Sequence, residues 1–116
     1  MAVAPPPPAL SIAIGRFGTS GRHGEVTLHG TVTCSTPMVT EVYGSVQQPA
    51  GRHLIHADFY GEVECDGQTN WSMTGTSYDG IFSGGPAQAA VYAFGCEGVE
   101  CAYAEASRTV RLRRAG

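Results

Sequence analysis

Two stretches of strict two-residue alternation, each ending in a cysteine, constrain this chain more than anything else in it. From Glu25 onwards Val26, Leu28, Gly30, Val32 and Cys34 fall on one side, and Glu25, Thr27, His29, Thr31 and Thr33 on the other. Further on, Ile55, Ala57, Phe59, Gly61, Val63 and Cys65 share a side opposite His56, Asp58, Tyr60, Glu62 and Glu64. A period of two is the pattern of a half-buried strand, one face in a core and the other in water. A helical period is found nowhere in the chain, so the fold class is all-β.

The remaining segments fit the same reading. Leu10, Ile12 and Ile14 form a short strand, placed at a sheet edge because it comes first and is flanked by proline. Gly15 to Gly24 reads as a turn-rich loop. Val42, Gly44 and Val46 alternate with Glu41, Tyr43, Ser45 and Gln47 until Pro49-Ala50-Gly51 ends the strand. Asp66-Gly67 is a hairpin signal, which predicts that the strand carrying Trp71, Met73 and Gly75 folds straight back on its predecessor, with Trp71 beside the Cys65 end. Tyr78 to Pro86 is a glycine-rich loop in which Ile81 and Phe82 form an apolar plug. Ala87 to Gly95 is apolar on both faces, as a central strand is, and Val110 and Leu112 close the core. The strand pattern gives an antiparallel sandwich or barrel of about seven or eight strands over residues 10–114, preceded by a proline-rich arm over residues 1–9. With Trp71 near a Cys34–Cys65 bridge, it resembles the tryptophan-on-disulfide packing of immunoglobulin-type domains, which makes an immunoglobulin-like β-sandwich the expectation.

A chain of 116 residues buries only about two-thirds of its unfolded surface, so covalent staples help it. Four cysteines allow three pairings. Cys34 and Cys65 both end alternating strands on the inward face, whereas Cys96 and Cys101 flank a four-residue turn. The expected bridges are therefore Cys34–Cys65 and Cys96–Cys101. Cysteines in neither C-x-x-C nor Cys/His zinc spacing in so short a chain point to an oxidising compartment, hence a secreted protein whose signal peptide is absent from this sequence.

Several function classes are disfavoured. The net charge is −3 and the basic residues gather only in the tail, at Arg108, Arg111, Arg113 and Arg114, which argues against nucleic acid. No apolar run approaches the roughly 18 residues of a membrane span. G-x-S-x-G, H-E-x-x-H and P-loop motifs are absent. Glu62 and Glu64, or Asp58 and Glu62, share a strand face, but a shallow face is not a substrate cleft, and paired cysteines leave no thiol nucleophile. The expectation is a protein that is no enzyme and needs no cofactor. Outward Tyr43 and Tyr60 are candidate anchors for a protein partner, which would make the chain a binding or adapter module, even a subunit of a secreted complex. The alternative is a small-ligand or metal carrier: His56 and Asp58, about 7 Å apart on one strand face, could share a metal with His29 if their strands pair.

The chain also resembles known proteins. Thr31-Val32-Thr33-Cys34, Glu64-Cys65-Asp66-Gly67 followed by Trp71, Phe82-Ser83-Gly84-Gly85-Pro86-Ala87 and Ser107-Arg108-Thr109-Val110-Arg111-Leu112 resemble the small secreted proteins of unknown function common in Streptomyces and its relatives. Seven arginines without a single lysine agree with such a high-GC actinobacterial source. The resemblance covers about residues 24–113 and implies no activity or catalytic residue. A weaker likeness, through the C-x4-C spacing of Cys96 and Cys101, is to the enediyne apoproteins, which are two-disulfide, immunoglobulin-like carriers.

Overall fold

The alternation becomes eight strands and no helix in the computed structural model, which describes residues 7–115. They are β1 (Leu10–Ile14), β2 (Phe17–Ser20), β3 (Glu25–Cys34), β4 (Met38–Ala50), β5 (His53–Cys65), β6 (Gln68–Thr76), β7 (Gly85–Glu97) and β8 (Glu100–Arg114). β1 and β6 flank β3 in one antiparallel layer, and β8, β7, β4 and β5 follow one another in the second. β2 joins the two layers by pairing antiparallel with β3 and parallel with β8. The inward faces supply a core of Val26, Leu28, Val32, Trp71 and Met73 from the first layer against Val42, Val46, Phe59, Val91 and Leu112 from the second. This is the all-β, sandwich-like pairing that the alternation predicts, and both expected disulfides, Cys34–Cys65 and Cys96–Cys101, are formed. Among the described residues no helix is long and apolar enough to cross a membrane.

Three local expectations are corrected, the third in the loop before β7. Gly15 to Gly24 is not all loop, because Phe17–Ser20 forms β2; Gly18 sits there because a Cβ would meet the Thr27 carbonyl oxygen at 2.7 Å and the Leu28 side chain at 2.8 Å. More consequential is Asp66-Gly67, which turns the chain without making a hairpin. Gly67 takes a φ of +82°, open to glycine at little cost, and its carbonyl accepts a hydrogen bond from the Cys34 N–H at 2.8 Å. The turn is thereby tied to the end of β3, and β6 zips along β3 from Thr33↔Gln68 to Glu25↔Thr76. Trp71 consequently lies opposite Gly30 of β3 and stacks on Phe59, ring centroids 6.1 Å apart, rather than pairing along β5.

Because β5 and β6 belong to different layers, their free edges run side by side. Two glycines permit the approach: a Cβ on Gly75 would collide with the Asp58 carbonyl oxygen, and one on Gly61 with the Met73 sulfur. The loop between β6 and β7 covers one end of the core with Phe82, fully buried, while Ile81 stays half exposed, so only half of the expected plug is built. Buried Gln48 fixes this loop: its Nε2 donates to the carbonyls of Ser83 (3.0 Å) and Pro86 (3.2 Å), and its Oε1 accepts from the Ser83 N–H at 2.8 Å. Of the proline-rich arm, residues 1–6 lie outside the described residues. Ala9 is fastened to Ser35 by its N–H to the hydroxyl at 2.8 Å and its carbonyl to the Ser35 N–H at 3.0 Å.

Candidate functional site

The register of the second layer assembles the outward side chains into rows running across four strands. One row reads Tyr60 (β5), Tyr43 (β4), Tyr92 (β7) and Glu105 (β8), and the row beside it Glu62, Glu41, Phe94 and Tyr103. Beyond the tyrosines follow Asp58, Ser45, Ala90 and Ser107. The rings stack: Tyr43 on Tyr92 at 5.3 Å and 19°, and Tyr92 on Tyr103 at 6.2 Å and 28°. Stacking orders the ladder at low entropic cost and still leaves ring edges and hydroxyls in solvent, since Tyr60 is 61%, Tyr103 53%, Tyr43 38% and Phe94 37% exposed. Shallow hollows flank it, one of about 270 Å³ between Tyr43, Asp58 and Tyr92, the other of about 380 Å³ between Tyr92, Glu105 and Ser107.

Electrostatically this face is acidic. Glu41 stands directly opposite Glu62, a like-charge cross-strand pair that works against the sheet. Among the described residues no arginine forms an ion pair, and the sole ion pair is between His56 and Asp79, so no cation offsets the two carboxylates. Glu41 accepts a hydrogen bond from the Tyr60 hydroxyl at 2.8 Å, which raises the phenol pKa, with Glu41 and Glu62 charge adding to it. Partial desolvation and then the Glu105 carboxylate raise Tyr103. Both phenols are therefore held as neutral hydrogen-bond donors across the physiological range.

Tyr43 and Tyr60, expected from alternation alone, thus lie on one face; Tyr92, Phe94 and Tyr103 complete it and become visible only once strand register is known. The metal hypothesis fares differently. His29 lies on β3 opposite Ser72 of β6, whereas His56 and Asp58 lie on β5. β3 and β5 do not pair, and among the described residues no group of three histidine, cysteine, aspartate or glutamate side chains could hold a metal ion. His29 instead borders a hollow with Phe17 and Arg113.

His56 and Asp58 border the groove between the β5 and β6 edges, about 440 Å³, with Tyr60, Thr74, Tyr78 and Asp79. Here Asp79 is the organising residue, and the sequence offered no motif for it. Its carboxylate accepts from the Ser77 hydroxyl at 2.5 Å, from His56 Nδ1 at 2.9 Å and from the His56 N–H at 3.3 Å. The Asp79 carbonyl meets His53 Nε2 at 2.7 Å. The Ser77 bond foremost, aided by those from His56, holds the Asp79 carboxyl down at about 2. Serine, histidine and aspartate are present, but the carboxylate sits in the middle. A serine nucleophile needs the imidazole between the other two to take its proton, so this arrangement is not that of a Ser-His-Asp triad and ties the loop to β5.

That fastening has a measurable consequence. A depressed carboxyl pKa adds stability above the ordinary value of 3.8 and loses it as pH falls towards about 2. In acid titrations followed by tyrosine fluorescence or NMR, the Tyr78–Asp79 loop should loosen over that interval. Asp79→Asn should remove this part of the pH dependence while leaving the core transition in place.

Compared with known proteins, the chain matches no family model and no curated sequence, and what the site does is read from its geometry.

Proposed function

We propose that the chain is a secreted, non-enzymatic, immunoglobulin-like module that binds a protein partner through the outer face of β5, β4, β7 and β8, and that the partner presents basic side chains. The observation that carries this reading is the tyrosine ladder bordered by the uncompensated Glu41–Glu62 pair. Tyrosine gives large, rigid, amphipathic contact area, and arginine or lysine from a partner can pack its stem along the ring edges and reach the carboxylates beside them. A like-charge pair that costs folding stability is understandable where a cation completes it on binding. Sugar stacking is disfavoured, because the tyrosine faces cover one another and only their edges are free.

The immunoglobulin-like reading is supported by a first strand segment that changes layers, β1 pairing with β3 and β2 running parallel to β8, and by two bridges in a small β domain. The same bridges favour an oxidising, extracellular compartment. A small-ligand carrier is the second reading. The β5–β6 groove of about 440 Å³ supports it by falling in the size range of small-molecule sites.

Capture from culture supernatant with the wild-type chain and with Tyr43→Ala, compared by quantitative mass spectrometry, discriminates these readings. A specific partner should be retained by the wild type and weakened by Tyr43→Ala by about 2 kcal/mol, roughly thirty-fold, while folding stability falls only by about 0.5–1.5 kcal/mol from the lost stack on Tyr92. Glu62→Gln should do two opposite things: raise folding stability by roughly 0.2–1 kcal/mol through lost repulsion and lower affinity, with a weaker salt dependence. Unchanged binding by both variants would exclude this face.

A further inference from the structure

We propose that the corner between β1 and β2 is a binding site for a tetrahedral oxyanion, a phosphate or sulfate group carried on an apolar or aromatic body. A hollow of about 270 Å³ lies there, lined by Arg16, Phe17, Pro86, Arg108, Thr109 and Arg111. Arg16 occupies the two-residue corner after β1, and β8 brings up Arg108 and Arg111.

The hollow is organised by backbone ties. The Arg111 N–H donates to the Arg16 carbonyl at 2.7 Å, which holds the corner against β8. Arg108 Nη1 donates to the Ile14 carbonyl at 2.8 Å, so one bordering guanidinium is fixed to the end of β1. A guanidinium carries five N–H donors, and a planar fork of this kind matches the oxygens of phosphate and sulfate. Among the described residues no carboxylate lies within ion-pairing distance of any of these arginines, since the sole ion pair is between His56 and Asp79. Three arginines therefore border the hollow with most of their donors unspent.

Phe17 sets the rest of the ligand. Its ring is 45% exposed beside the arginines, and Arg113 lies over it, 4.8 Å from the centroid. With Pro86 on the far side, an apolar or aryl group attached to the anion has a surface to rest on. A long polyanion is disfavoured, because the chain carries a net charge of −3 and Glu105, Glu41 and Glu62 occupy the other half of the same sheet face. The site takes a single anionic group. It lies away from the tyrosine rows and does not depend on their function.

The test is a ¹H–¹⁵N NMR titration of the whole chain with sodium phosphate, sodium sulfate and phenyl phosphate, ionic strength held constant with sodium chloride. Saturable shifts are expected at the amides of Arg16, Phe17, Thr109 and Arg111, with a Kd on the order of 1 mM for both inorganic anions. Phenyl phosphate should bind roughly three- to ten-fold tighter through Phe17. Arg111→Gln should weaken all three about ten-fold without moving the melting temperature; it is preferred to Arg108→Gln, which also removes the bond to Ile14. Non-saturating shifts, shifts spread evenly over the arginines, or equal binding by Arg111→Gln would overturn the site. Phenyl phosphate binding no tighter than phosphate would overturn the apolar body of the ligand.

Discussion

Replacing Cys34 and Cys65 together by alanine should destabilise the fold by about 3 to 4 kcal/mol and lower its melting temperature by roughly 12 to 20 °C. The bridge spans 31 residues of sequence, so its removal frees a long loop in the unfolded chain, and in the folded state it joins the ends of β3 and β5, which belong to different layers. Both sulfurs are buried in the core cluster. The Cys96–Cys101 bridge closes only 5 residues of separation at an exposed hairpin, and in the same entropic model its removal costs about 2 kcal/mol. Denaturant melts of the two double mutants give the comparison directly. Equal losses from both would mean that the inter-layer tie has no special weight.

Trp71→Ala should cost about 3 to 5 kcal/mol. Trp71 is 2% exposed, stacks on Phe59 and fills the space left by Gly30, where a Cβ would meet its indole carbons at 2.6 Å. Its Nε1, however, finds no hydrogen-bond partner among the described residues. The contribution is therefore in the ring and not in the polar handle, and Trp71→Phe should recover most of the loss, since no hydrogen bond is forfeited. Gly30→Ala should be unfavourable in either background, because its Cβ also runs into the Ala13 carbonyl of β1, which is backbone and cannot swing aside. Urea melts of the four variants separate ring packing from backbone approach; a Trp71→Phe protein as weak as Trp71→Ala would show that the indole nitrogen matters after all.

How much of this was legible in the chain depended on whether the feature was local. The inward faces of β3 and β5 are written in their alternation, and so are the two cysteine pairings, because strand direction and turn length are short-range properties. The partner of a strand is not. Asp66-Gly67 encodes a reversal, yet whether the next strand returns beside β5 or crosses to β3 was decided by the Cys34–Gly67 hydrogen bond and the bridge beside it. The four residues of β2 are too few and too glycine-diluted to show a period, and they exist because β3 and β8 both supply partners. For the same reason Tyr43 and Tyr60 could be assigned outward singly, while their alignment with Tyr92, Tyr103 and the opposed Glu41–Glu62 pair needed the register of four strands. The supposed grouping of His29 with His56 and Asp58 failed on that point too. Arg16 joins Arg108 and Arg111 only through the corner that β2 creates.

The parallel pairing of β2 with β8 bears on how the molecule carries load. The chain passes Ala9 beside Ser35, at the bridged end of β3, and passes Ala115 beside Ser20, whose carbonyl accepts the Ala115 N–H at 2.8 Å. β2 and β8 run in the same direction, so tension applied between residues 9 and 115 draws one strand backwards past the other. Their hydrogen bonds then lie across the direction of pull and share the force together instead of peeling one at a time. Pulled that way, the domain resists extension best along the line between residues 9 and 115.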